Sequence, residues 1–174
     1  MPDRSPVTFD SLQRAVDALA AQRLAQVTYL GTGLEPDDWD FGRYHLATMG
    51  VELVTQDGTR FLATWGDAFG RFGLELLVVD ADQAVPEGER RPFSDHAWWQ
   101  PFIRARMGVS LIWRTGHLDS DQPCPVALAL TDDAHTLWVA VAEESTPGGR
   151  ILVGMDQVLV TGDRGFAAEL GLLT

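Results

Sequence analysis

The sequence contains no lysine and no asparagine. The first absence excludes Schiff-base chemistry and a phosphate-loop lysine. The second excludes N-glycosylation. All 13 basic residues are arginine, and isoleucine stands only at Ile103, Ile112 and Ile151. Lysine, asparagine and isoleucine share A/T-rich codons, so a high-GC bacterial genome is the expected source. A single cysteine, Cys124, rules out an internal disulfide and favours a reducing compartment, here the cytoplasm. No apolar run approaches the roughly 18 residues of a membrane span. The polar start "MPDRSPVTFD" lacks the apolar segment of a signal peptide.

Positive charge is also scarce. Against 25 acidic residues the 13 arginines leave a formal net charge of -12. That excess disfavours nucleic acid, whose binding rests on neutralising phosphates, and an anionic membrane surface. It suits solubility, or a protein partner with a basic surface. The 174 residues fit one domain over 1–174, large enough to bury a core without metal or disulfide.

What is present reads as an α+β fold: a mostly antiparallel β-sheet with an N-terminal helix and one or two short helices packed on it. "TFDSLQRAVDALAAQRL" has Phe9, Leu12, Val16 and Leu19 at helical spacing, with Asp10 and Gln13 resembling a capping box, so the spacing predicts a helix from about residue 10 to 24. Strands are predicted at 26–30, 43–48, 50–56, 59–65, 73–80, 109–115, 124–131, 135–144 and 150–156. Asp57-Gly58 marks a hairpin turn. The stretches 43–56, 59–65 and 73–80 are expected in succession in one sheet, covered by the helix, with 73–80 central because it is apolar on both faces. The polar stretch 83–95 reads as a loop, 101–108 as a short helix between Pro101 and Gly108, and the tail as a short helical segment.

Catalytic motifs fail at required positions. "GTGLEP" opens like a dinucleotide turn, but Pro36 stands where the third glycine belongs and four acids surround Trp39. Asp38, Asp40 and Gly42 lack the remaining ligands of a calcium loop. The histidines His45, His96, His117 and His135 show no metal-ligand spacing on one helix, and Cys124 has no cysteine partner. His45 reads as a core or edge residue and Cys124 as structural. Ser110 lacks the glycine frame of a nucleophile elbow. Glu52 and Glu75 sit in strands that could bring them to a cavity. No metal, nucleotide or flavin cofactor is expected, and no catalytic residue is assigned.

Tryptophan remains. Trp65, Trp113 and Trp138 lie in strand patterns and read as core. Trp39 sits among Glu35, Asp37, Asp38 and Asp40, and Trp98 and Trp99 end the polar stretch. These seven residues are the candidate contacts to a basic partner, with loop 35–40 expected to be exposed. The stretch "YHLATMGVELVTQDGTRFLATWGD" resembles small proteins of high-GC bacteria and, in character, the immunity proteins of bacterial toxin systems. That resemblance implies a non-catalytic binding protein that masks a protein partner. The alternatives are a small-molecule-binding or enzymatic domain, with a pocket between sheet and helix, and a subunit of a homo-oligomer.

Overall fold

A computed structural model describes residues 7–31, 39–69, 72–80, 88–115, 121–145 and 149–173. In chain order the elements are α1 (Phe9–Ala20), β1 (Leu24–Gly31), β2 (His45–Leu46), β3 (Gly50–Thr55), β4 (Arg60–Gly66), β5 (Gly73–Val79) and β6 (Glu89–Pro92). A 3-10 turn at Gln100–Phe102 follows, then β7 (Gly108–Arg114), β8 (Cys124–Thr131), β9 (Thr136–Glu144), β10 (Ile151–Thr161) and α2 (Arg164–Glu169). The fold is α+β and mostly antiparallel. Its strands form two five-stranded sheets, ordered β5-β4-β3-β1-β6 and β2-β10-β9-β8-β7.

Alternation along the first sheet builds its two faces. Val27, Tyr29, Val51, Leu53, Phe61, Ala63, Leu74 and Leu76 share the inner face and join the main core with the second sheet. Thr28, Leu30, Glu52, Arg60, Leu62 and Val79 share the outer face, where Leu30, Leu62 and Val79 form a second small cluster. In the second sheet every residue of β8 from Cys124 to Leu130, and of β9 from Leu137 to Ala142, is buried, so those are the strands covered on both faces.

The order β3, β4, β5 agrees with the Asp57-Gly58 hairpin, but other expectations need correction. Residues 45–46 pair with β10 in the other sheet, not with β3. The chain crosses between sheets at a corner where the Ala47 N–H donates to Val158 O and the Met49 N–H to Leu30 O. Gly50 permits that corner: its φ is +141°, and a Cβ there would lie 2.6 Å from Ala63 O. β5 is an edge strand: Leu74 and Leu76 face the main core with α1 and β8, and its second apolar face, Leu77 and Val79, joins the small outer cluster with Leu30 and Leu62. The stretch 101–108 forms only the short 3-10 turn. Ile103 bridges Leu24, and Arg104 takes φ +60° while its N–H donates to Leu24 O at 2.7 Å, so a tertiary strand contact replaces the local helix.

The helix α1 touches β5 and β7, edge strands of the two sheets, and closes one side between them rather than covering one sheet. Its cap is Thr8 with Ser11, not Asp10 with Gln13: the Ser11 N–H donates to the Thr8 hydroxyl at 3.1 Å and the Thr8 N–H to the Ser11 hydroxyl at 2.7 Å. Thr8→Ala should therefore cost about 1 kcal/mol. The check is a lower urea midpoint at unchanged slope; an unmoved midpoint would show that the cap is idle.

Candidate functional site

Asp40 and His45 face each other across a tight turn, where they form an antiparallel bridge. The Phe41 N–H donates to Tyr44 O and the Leu46 N–H to Trp39 O, both at 2.9 Å. Gly42, at φ +79°, turns the chain, and its N–H donates to Asp40 Oδ1 at 2.7 Å. The turn is anchored to the far end of the second sheet. Arg43 meets Asp163 at 3.1 Å and Glu169 at 3.0 Å, and the Thr161 hydroxyl donates to Arg43 O at 2.7 Å.

A second segment arrives from β6, which pairs with β1. Just past it, Phe93 stacks on Tyr29 with ring centroids 3.8 Å apart, and the His96 N–H donates to Phe93 O at 3.0 Å. This turn sets the His96 ring edge-on to His45 at 4.4 Å and stacks Trp98 on His45 at 4.2 Å. One ligand-type atom from each of Asp40, His45 and His96 lies within 4.8 Å of the others. His45 Nε2 stands 3.9 Å from Asp40 Oδ1.

Proton accounting assigns the tautomers. The Trp99 indole N–H can only donate, and it donates to Tyr29 Oη at 2.8 Å. Burial pushes the Tyr29 pKa far up, so its hydroxyl keeps its proton. That proton has His45 Nδ1 at 3.0 Å to accept it. Without this acceptor the buried hydroxyl would lose about 1–3 kcal/mol. The chain of bonds thus runs from Trp99 through Tyr29 to His45, leaving the proton of a neutral His45 on Nε2, toward Asp40. Burial first, then the neighbouring His96, pushes the His45 pKa down to about 4, with Asp40 opposing. At His96, Nδ1 accepts from the Trp98 N–H at 3.2 Å.

The two segments singled out in the sequence therefore meet around Tyr29 and His45, but not as an exposed aromatic surface. Trp39 is 4% exposed and Trp99 is 0% exposed, which corrects the expectation that they offer contact area. Trp39 stacks with Tyr29 at 6.1 Å beneath the Arg91 guanidinium, which lies 4.9 Å from its ring. Trp99 is held by its bond to Tyr29. Trp99 thus finds a polar partner inside, whereas the buried Trp39 ring is held by Tyr29 and Arg91 while its indole N–H has no hydrogen-bond partner among the described residues. Asp40 is exposed and Trp98 half-buried. The Trp98 ring rests on Gly162, where a Cβ would lie 2.9 Å from it. Glu35, Asp37 and Asp38 lie outside the described residues. Of the three tryptophans read as core, Trp138 is buried, whereas Trp65 and Trp113 are half-buried against the core.

Glu52 forms a separate charged centre. Its side chain is 3% exposed and receives Arg60 Nε at 2.9 Å; Arg90 also pairs with it. Arg60 sits on β4, and Arg90 lies opposite Leu30 on β6, so three strands converge on one carboxylate. Cys124 is buried, and burial raises its pKa, which suits a structural thiol.

Two concavities accompany these centres. One, of about 200 Å³, is lined by Trp98, Phe102, His135, Trp138 and Arg164 among others. The other, of about 420 Å³, lies between Arg114, Arg150, Phe166 and Glu169. His135 Nδ1 bonds Asp132 at 3.1 Å, yet among the described residues no serine or cysteine lines the pocket beside it. Among the described residues, neither concavity sets a serine or cysteine nucleophile beside a base. No protein-family model, curated protein or solved structure matches the chain.

Proposed function

We propose that the chain is a non-catalytic binding protein that engages a partner with a basic surface, in the manner of an immunity or accessory protein. The observation that carries this reading is uncompensated acid. Carboxylates exceed arginines by 12, and Arg43, Arg60, Arg90 and Arg91 are engaged in ion pairs within the chain. A field of that sign steers a cationic partner into encounter. The contact surface includes Asp40 and Trp98, both beside His45, with Glu35, Asp37 and Asp38 on the adjoining stretch. Trp98 takes the anchoring role because Trp39 and Trp99 are used inside.

The test begins with cross-linked capture and identification of a partner at low ionic strength, followed by binding kinetics. Asp40→Arg should slow association several-fold, most clearly at low salt. Trp98→Ala should speed dissociation about tenfold or more, with the fold checked by circular dichroism. A captured partner without a basic surface, or wild-type kinetics in both folded variants, would refute the reading.

A further inference from the structure

The tight turn of residues 39–46 and the turn after β6 bring three metal-ligand side chains together from parts of the chain with no ligand spacing in sequence. We propose that Asp40, His45 and His96 form a binding site for a divalent transition-metal ion of zinc's class. This inference does not require the protein-binding reading, although both use Asp40; metal titration without any partner tests it separately. Two imidazoles and one carboxylate suit such an ion, whereas calcium and magnesium prefer oxygen donors throughout. Bonds of about 2.0–2.1 Å in tetrahedral array place ligand atoms about 3.3 Å apart. The His45–Asp40 separation is 3.9 Å, and all three donors lie within 4.8 Å, so closure requires movements of about 1.5 Å or less. Asp40 is exposed and His96 half-buried, and these two side chains can make that movement; His45 is buried and fixed. A fourth position is left for water or another ligand.

Two of the ligands also have an outer partner: the Gly42 N–H holds the Asp40 carboxylate, and Tyr29 Oη pairs with His45 Nδ1. At His96, Nδ1 accepts from the Trp98 N–H at 3.2 Å, a bond that metal binding through either ring nitrogen gives up. Such partners orient the ligands of metal sites. Binding through His45 Nε2 requires its proton to move to Nδ1, which then donates to Tyr29 Oη. A phenol oxygen both donates and accepts, so Tyr29 Oη can receive that bond, but its own buried proton then loses His45 as acceptor, a cost that metal binding must exceed. His45 remains neutral, and no net proton leaves it. The acidic field of the chain raises the local cation concentration.

The experiment uses the full-length chain, stripped with chelator and dialysed, then titrated with zinc by calorimetry and with cobalt(II) by its visible absorption. Wild type should bind one ion per chain. Asp40→Asn and His96→Gln, both at positions that tolerate polarity, should each weaken binding at least tenfold. His135→Gln, which alters the other histidine–carboxylate pair, should bind as wild type does. Absence of stoichiometric binding in wild type, or affinity unchanged in folded Asp40→Asn and His96→Gln, overturns the proposal.

Discussion

Removing both arginines from Glu52, as Arg60→Ala with Arg90→Ala, should destabilise the protein by about 3 kcal/mol or more. A carboxylate taken out of water needs compensation, and breaking a buried pair from one side typically costs about 3–5 kcal/mol. Arg60 and Arg90 are themselves 26% and 43% exposed, so their loss admits some water and places the effect toward the lower end. The two guanidiniums share the one carboxylate, so the single variants should each cost less than half the double. The cause is separable from lost packing. Thr28 and Leu62 flank Glu52 in register, and Leu30 and Leu62 belong to the apolar cluster on that face. Adding Glu52→Leu to the double variant should therefore recover stability, because the stranded charge is gone and an apolar side chain takes its place. Urea unfolding of the wild type, the two single variants, the double and the triple measures this. A triple variant no more stable than the double would show that the arginines act through packing, not through the carboxylate.

How far the fold could be read before the structure varies with the kind of signal. The β3–β4 hairpin was legible because Asp57-Gly58 lies between two strand-like runs, a local cause with a local effect. β8 was legible residue for residue, since "CPVALALT" is apolar throughout and bounded by polar turns. β6 was not: "ERRP" carries three charges and a proline, and it is a strand because an edge position tolerates Pro92 while Arg90 reaches Glu52. The misplacement of β5 has the same origin. Two apolar faces show that both are covered, not that a strand flanks it on each side: here the main core covers Leu74 and Leu76, and a small cluster on the same sheet takes in Leu77 and Val79. Tryptophan was a sound guide to place and a poor guide to exposure. Segments 39–40 and 98–99 do converge, but on Tyr29, a residue whose role no local pattern announces. The convergence of His45 and His96 was not legible, because it depends on the sheet-crossing corner at Gly50 and on the pairing of β6 with β1, neither of which leaves a spacing in the sequence.

The same burial gives the centre a measurable acid response. With chelator present, the stability that depends on His45 should be complete above about pH 6.5 and should fall as the pH drops to about 4. The sign follows from proton uptake. The pKa of His45 is near its ordinary 6.5 in the unfolded chain and about 4 in the folded one. Between those values the unfolded chain binds a proton that the folded chain refuses, so acid favours unfolding. The full difference corresponds to about 3 kcal/mol. Among the described residues, three titratable groups face the ring: His96 opposes a second positive charge, Asp40 favours one, and Tyr29 donates to Nδ1 and would lose its acceptor if that nitrogen were protonated. Desolvation is the largest cause, and His45 is 1% exposed, so the downward direction wins despite Asp40. Other carboxylates also titrate in this range, and His45→Gln removes their contribution by difference: the amide oxygen can still accept from Tyr29 but takes no proton. The wild-type advantage over His45→Gln should shrink steadily from pH 7 to pH 4 in urea unfolding experiments. A difference that stays constant across that range would mean that the imidazole is open to water or already protonated in the fold, and the bond direction from Tyr29 to His45 would have to be reversed.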